Sequence, residues 1–134
     1  MILIEETKYC LDANFIINLL KGKSNAVLLY NEIKNAPLTI TSVALFEILR
    51  GKEQNQNKIQ EFDKLLKTLE VLPFSEKEAK EASRTEKAIH QKGQTISSPD
   101  LFIGVTAKNN KTTLITDDLN FNSMIESGLQ IRNY

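Results

Sequence analysis

Short apolar runs alternate along this chain with longer stretches in which apolar residues recur every three or four positions. Lys8-Tyr9-Cys10-Leu11 is such a run and stops at Asp12. A helical stretch follows through Phe15, Ile16, Ile17, Leu19 and Leu20, with Gly22 as its C-terminal stop. A second helix starts from a Ser24 cap, carries Val27, Leu28 and Ile33 at helical spacing, and ends before Pro37. Leu38-Thr39-Ile40 is the second strand. Ser42 then caps a helix over Val43 to Leu49, closed near Gly51. Gln54 to Asn57 reads as a turn before a helix with Phe62, Leu65, Leu66 and Leu69, and Val71-Leu72-Pro73-Phe74 as strand three. Ser75 with Glu78 three residues on forms a capping box that opens a long helix ending at Gly93. Ser98-Pro99, a cap followed by proline at the first helical position, starts another helix running to about Lys108. Thr113 to Thr116 is strand four, Phe121 to Ile125 a short helix, and Leu129 to Arg132 a fifth strand.

Strands alternating with helices predict an α/β fold, a parallel sheet of four to five strands with helices on both faces. No repeat, low-complexity segment or linker interrupts the pattern, so residues 1–134 are expected to form one domain. In such sheets ligands bind beyond the carboxyl ends of the strands. Asp12 ends strand one, Asp117-Asp118 follow strand four, and Glu47 lies in the helix leaving strand two. Asp100, in the first turn of its helix, reaches the same edge if the two helices joining strands three and four fold back across the sheet.

Each acid has a structural reading as well. Asp12 and Asp118 could cap the helices that follow them, and Asp100 could complement a helix dipole. Glu47 resists such a reading, because Phe46, Ile48 and Leu49 surround it and an uncompensated charge there is costly. Taken together, the four demand neutralisation: two carboxylates about 4 Å apart repel by about 4 kcal/mol at an effective dielectric of 20. Oxygen-only donors suit hard cations, Mg²⁺ or Mn²⁺, which retain water and bridge to phosphate. A cation in such a pocket activates water for attack at phosphorus.

Composition narrows the alternatives. Lysine plus arginine total 17, as do aspartate plus glutamate, so no overall positive field recruits a polyanion and any nucleic-acid contact is local. Arg50 and Lys52, just past Glu47, are the candidate phosphate contacts. Lys77, Lys80, Arg84 and Lys87 recur at helical spacing, a pattern better explained as a solvated face braced by pairs such as Glu76–Lys80. Cys10 is the sole cysteine, which excludes an internal disulfide and a cysteine-based zinc site; in an apolar strand it reads as a buried, inert thiol. His90, the sole histidine, lies at a polar helix end and is not expected to act as a base. No apolar run approaches the ~20 residues of a membrane span, and the N-terminal residues lack a signal-peptide layout, so a soluble cytoplasmic protein is expected.

With these residues in hand, the chain resembles the PIN-domain family, and within it the VapC-like toxins of toxin–antitoxin pairs. The resemblance rests on Leu11-Asp12-Ala13-Asn14, on Thr41-Ser42 leading to Phe46-Glu47-Ile48-Leu49-Arg50-Gly51, on Asp100-Leu101-Phe102-Ile103 with Thr106-Ala107, and on Leu114-Ile115-Thr116-Asp117-Asp118 with Phe121. It implies a Mg²⁺- or Mn²⁺-dependent endoribonuclease with Asp12, Glu47, Asp100 and Asp118 as catalytic acids. Of these, Asp12, Asp100 and Asp118 are the principal metal ligands. It further implies pocket roles for Asn14 and Thr116. Many relatives carry an acid just before the phenylalanine, where this chain has Asn120; alignment to Phe121 gives the fourth role to Asp118, with Asp117 as the alternative. The implied partners are an RNA substrate, a VapB-like antitoxin and a second copy of the chain. Phe15, Ile16 and the helices near Leu45 and Phe62 are candidates for the dimer surface or, equally, for the core. Competing readings are a PIN ribonuclease of RNA processing, a non-catalytic PIN-like binding module, and a phospho-accepting receiver domain. The receiver is disfavoured because its acid pair should follow strand one, and here the pair comes late.

Overall fold

The computed structural model of the protein describes residues 6–51 and 56–134. Five short strands, β1 (Tyr9–Leu11), β2 (Leu38–Thr41), β3 (Glu70–Leu72), β4 (Thr113–Ile115) and β5 (Gln130–Arg132), form one sheet in the order β3-β2-β1-β4-β5. All four pairings are parallel. Helices α1 (Ala13–Leu20) and α2 (Ser24–Ile33) connect β1 to β2. Helices α3 (Ser42–Leu49) and α4 (Gln56–Leu66) connect β2 to β3, and α5 (Glu76–Gln91) and α6 (Ser98–Asn109) connect β3 to β4. This is the α/β architecture that the alternation of runs predicts.

The apolar runs are short because each strand spans only the middle of the sheet, and Cys10, Leu11, Ile40, Leu114 and Ile115 are fully buried there. Phe15 and Ile16 of α1, Ile103 and Val105 of α6, and Phe121 and Met124 complete the core. Gly104 permits the close approach of α6 to the segment after β4, since a Cβ there would fall 2.3 Å from Met124 Sδ. Phe15 and Ile16 are wholly buried and Phe62 nearly so. Phe15 and Ile16 are therefore core residues and not available as a dimer surface, whereas the helices near Leu45 and Phe62 expose Phe46, Leu49 and Ile59.

Several boundaries differ from expectation, each for a local reason. Thr41, not Ser42, caps α3, its hydroxyl accepting from Ala44 N–H at 3.1 Å. Ser97, not Ser98, caps α6 by accepting from Asp100 N–H at 3.3 Å, which puts Pro99 at the second helical position. Lys23 occupies the N-cap of α2, so Ser24 is already helical. Helix α4 stops at Leu66, short of Leu69. Of the expected turn Gln54 to Asn57, Gln56 and Asn57 are instead the first residues of α4, and Gln54 and Asn55 lie in the segment 52–55 outside the described residues. Strand β3 begins at Glu70 and ends before Pro73, which has no N–H to pair; Phe74 leaves the sheet and packs on Phe102, ring centroids 4.4 Å apart. The expected short α-helix near Phe121 is a run of 3-10 turns over Leu119–Ser127. Ser123 and Ser127 hydroxyls there bond the carbonyls of Asn120 and Met124, three residues back, in place of a regular α-ladder.

The topology places the site. From β1 the chain runs outward through β2 to β3, then returns past β1 to β4 and β5. The boundary between β1 and β4 is thus the switch point of the sheet, where open α/β folds form a crevice. Asp12 follows β1 and Thr116 to Asp118 follow β4, on either side of that boundary.

Candidate active site

Asp12 is the anchor. It is the N-cap of α1, and its Oδ1 accepts from Ala13 N–H at 2.8 Å. Its Oδ2 accepts from the Thr116 hydroxyl at 2.8 Å, and its N–H continues the β1–β4 pairing by donating to Ile115 O at 3.1 Å. The cap and the candidate ligand are one residue: the two readings of Asp12 do not compete. Thr116, fully buried, also accepts from Asp118 N–H at 3.0 Å, so a single hydroxyl ties Asp12 to the segment that carries Asp118. Asp118 is half-buried and caps the 3-10 run by accepting from Asn120 N–H at 2.9 Å.

Asp12, Glu47, Asp100 and Asp118 all line one cavity of about 210 Å³, with Asn14, Ile17 and Arg50. Helix α6 runs back along β2 and β4, with α5 packed against it, which brings the first turn of α6 and Asp100 to the carboxyl edge. Asp117, by contrast, is exposed and outside the cavity; its Oδ1 accepts from Tyr134 N–H at 2.7 Å. Arg50 lies at the cavity's edge with its guanidinium 5.1 Å from the Phe46 ring centroid. Lys52 is outside the described residues. Lys77, Lys80, Arg84 and Lys87 are exposed and do not line the cavity, and Lys80 pairs with Glu76 at 3.4 Å. His90 is exposed at the end of α5. Cys10 is buried, and that burial pushes its thiol up to about 12, which makes it inert at neutral pH.

The electrostatics follow from burial and crowding. Burial pushes the Asp12 carboxyl up to about 6; the bonds from Thr116 and Ala13 oppose this, and the charges of Asp100 and Glu47 add to it. Burial and the Asp100 charge raise Glu47, with Arg50 in opposition. Burial raises Asp100 as well, the Ser97 hydroxyl opposing and the Asp118 charge contributing. Arg50 is the one cationic side chain among the described residues that line the cavity. The site is therefore short of positive charge, and its donors are all oxygen, the set that suits a hard divalent cation. Among the described residues, no three acids close to first-coordination spacing. The cavity has room for a cation with part of its water shell, the state Mg²⁺ prefers.

A second hollow, of about 390 Å³, lies between α1, α3 and α4 and is lined by Leu20, Ile48, Leu49, Ile59 and Phe62 among others. Ile17 borders both hollows, so the groove opens toward the acidic cavity. Helical spacing marked these residues as apolar but did not separate the core side from the groove side. The exposure of Leu49 and Ile59 marks the groove side.

A parallel sheet with its acids gathered at the switch point defines a PIN-type nuclease fold, and the PIN domain model matches residues 9–126. The chain belongs to the PIN domain family. Ribonuclease VapC2 of Rickettsia felis is 31% identical over 121 residues, which span 83% of this chain and 87% of that protein. Two solved structures share the fold. One is VapBC2 from Rickettsia felis bound to a DNA fragment from its promoter, with TM-score 0.79, 23% identity, and coverage of 96% of this chain and 99% of that one. The other is DNA-bound VapBC from Salmonella typhimurium, with TM-score 0.79, 22% identity, and coverage of 95% and 98%.

Proposed function

We propose that this protein is an endoribonuclease, dependent on Mg²⁺ or Mn²⁺, that acts as the toxin of a VapBC-type pair. The observation that carries this reading is the convergence of four carboxylates, from four separate segments, on one cavity where burial holds Asp12 near a pKa of 6. Such a site resists being fully charged on its own. The relationship to ribonuclease VapC2 supports RNA as the substrate.

In this reading Asp12, Asp100 and Asp118 hold the cation, and Glu47 orients the attacking water or completes a second ion site. A cation held there would lower the pKa of water and offset charge on the phosphate oxygens. Thr116 holds Asp12 through its hydroxyl, and Asn14 and Arg50 line the approach, Arg50 meeting the phosphate backbone. Neither His90 nor Cys10 has a part in the chemistry: one is exposed away from the cavity and the other is buried as a neutral thiol.

A VapB-like antitoxin is the expected partner, since the structural neighbours are VapBC complexes. The apolar groove beside the cavity suits an amphipathic segment, with a basic side chain reaching the acids past Ile17. A homodimer and a cytoplasmic location belong to the same reading. No helix among the described residues is long and apolar enough to cross a membrane.

The test is cleavage of a mixed RNA pool with Mg²⁺ or Mn²⁺, with EDTA, and with Asp100→Asn. Cutting that requires the cation and disappears in the variant is the expected result. Cutting that survives both EDTA and Asp100→Asn would overturn the mechanism.

A further inference from the structure

Asp117 stands beside an acid of the cavity, yet its carboxylate is engaged elsewhere, and its partner belongs to a small cluster that the nuclease chemistry leaves unused. Tyr134 N–H donates to Asp117 Oδ1 at 2.7 Å, and Asn133 Nδ2 donates to the Thr116 carbonyl at 2.6 Å. On its other side Tyr134 meets α1: Asn18 Nδ2 donates to Tyr134 Oη at 2.7 Å, and the ring packs edge-on against Phe15, centroids 4.9 Å apart at 80°. Helix α1 is the one that Asp12 caps, and Thr116 and Asp117 immediately precede Asp118. Asn133 and Tyr134 therefore bridge the two segments that carry Asp12 and Asp118.

A bridge there has a mechanical purpose. Strand β5 is three residues long and lies at the sheet edge, so the residues after it would fray without specific partners. Here they have four: two on the segment after β4 and two on α1. On the cavity side the Thr116 hydroxyl, donating to Asp12, joins the two segments. A second tether behind it resists their separation.

We propose that Asp117, Asn133 and Tyr134 form a clasp that sets the placement of Asp118 relative to Asp12 for divalent-cation binding, with Asp117 a positioning residue and not a ligand. This rests on the reading of the cavity as a cation-dependent nuclease site. The clasp acts through geometry, so what it needs from residue 117 is an oxygen that accepts from Tyr134 N–H, not a negative charge. A side-chain amide supplies that oxygen equally well.

The experiment is Mn²⁺ titration, followed by electron paramagnetic resonance, of the wild type, Asp117→Ala, Asp117→Asn and Asn133→Ala, each checked for fold by circular dichroism. Asp117→Ala and Asn133→Ala should each weaken Mn²⁺ binding by about 3- to 10-fold, the loss expected when an orienting hydrogen bond is removed. RNA cleavage by them should lose kcat with KM unchanged. Asp117→Asn should stay within about twofold of the wild type, because its amide oxygen keeps the bond. If Asp117→Asn loses Mn²⁺ as fully as Asp117→Ala, the charge is what matters and Asp117 is a ligand, which overturns the clasp. Wild-type binding in both alanine variants overturns it too. A wild type that binds no Mn²⁺ at all overturns the nuclease reading, and the clasp with it. Should Asp117→Ala fail to fold, Asn133→Ala against Asp117→Asn decides the question by the same readings.

Discussion

Thr116 donates its hydroxyl to Asp12 across 2.8 Å, joining residues 104 positions apart in sequence at the adjacent ends of β4 and β1. Both residues are buried, Thr116 wholly and Asp12 with 5% exposure. The bond is thus one of the few means of stabilising the charged form of Asp12 without a cation. Removing it isosterically with Thr116→Val leaves a buried carboxylate short of a donor, which costs about 1–3 kcal/mol of stability. It also raises the Asp12 pKa further. Thr116→Ser keeps the hydroxyl and should lose much less. Urea unfolding of the two variants checks this, and equal losses would mean that the methyl group, not the hydroxyl, matters at this position.

Metal-free stability should depend on pH in an uncommon direction. Asp12 has a folded pKa of about 6 against an ordinary 3.8, so between those values the native state holds more of the proton than the unfolded chain does. Stability is therefore present at the acid end and falls as pH rises from about 4 to about 6, by an amount on the order of 2–3 kcal/mol for this one group. Glu47 and Asp100, also raised, act in the same sense. Glu78 and Glu81, lowered mainly by the Ser75 hydroxyl and by Lys108, act oppositely, but only as pH falls below 4.5. In EDTA, thermal melting should be highest near pH 5 and lower at pH 7.5, where added Mg²⁺ should restore it. A melting temperature that climbs steadily from pH 5 to pH 7.5 in EDTA would contradict this electrostatic account of the cavity.

Asp100→Asn should separate stability from activity. The carboxylate adds repulsion to both Asp12 and Glu47, so its neutral isostere relieves strain in the metal-free protein. The variant is expected to melt at or above the wild-type temperature in EDTA, to gain little from Mg²⁺, and to lose cleavage by a factor on the order of 100 or more. Melting curves with and without Mg²⁺, beside a cleavage assay, test all three. A large drop in metal-free stability would assign Asp100 a structural role at the start of α6.

What could be read from sequence here is what short-range chemistry determines. Apolar runs of strand length that end in Asp12 and in Thr116 to Asp118 fix which residues stand at the carboxyl edge, and parallel α/β order then brings them together. Asp117 and Asp118 could not be separated that way, because neighbouring residues leaving a strand point to opposite sides and one step of register exchanges them. In the structure Asp118 lines the cavity, while Asp117 accepts from Tyr134 N–H, 17 residues away. Ser97 and Ser98, like Thr41 and Ser42, are adjacent residues of good capping type, so composition could not choose between them. The groove beside α4 was hidden because Ile48, Leu49 and Phe62 satisfy the same helical spacing whether they meet the core or an open hollow.

Arg50 provides the last test, because it alone among the described cations lines the acidic cavity. Its charge lowers the Glu47 pKa, and its exposed guanidinium rests over the Phe46 ring, with the planar fork that suits phosphate. If it contacts the RNA backbone, Arg50→Ala should weaken binding of a catalytically silent Asp100→Asn protein to RNA of any sequence. It should also reduce the slope of log K against log salt by about 1, the signature of one lost phosphate contact. Arg50→Lys should retain the slope and lose only affinity, since a lysine releases the same counterion without the planar fork. A slope unchanged in Arg50→Ala would confine Arg50 to an internal role, offsetting the charge of Glu47, and would leave the phosphate contact to residues beyond the cavity.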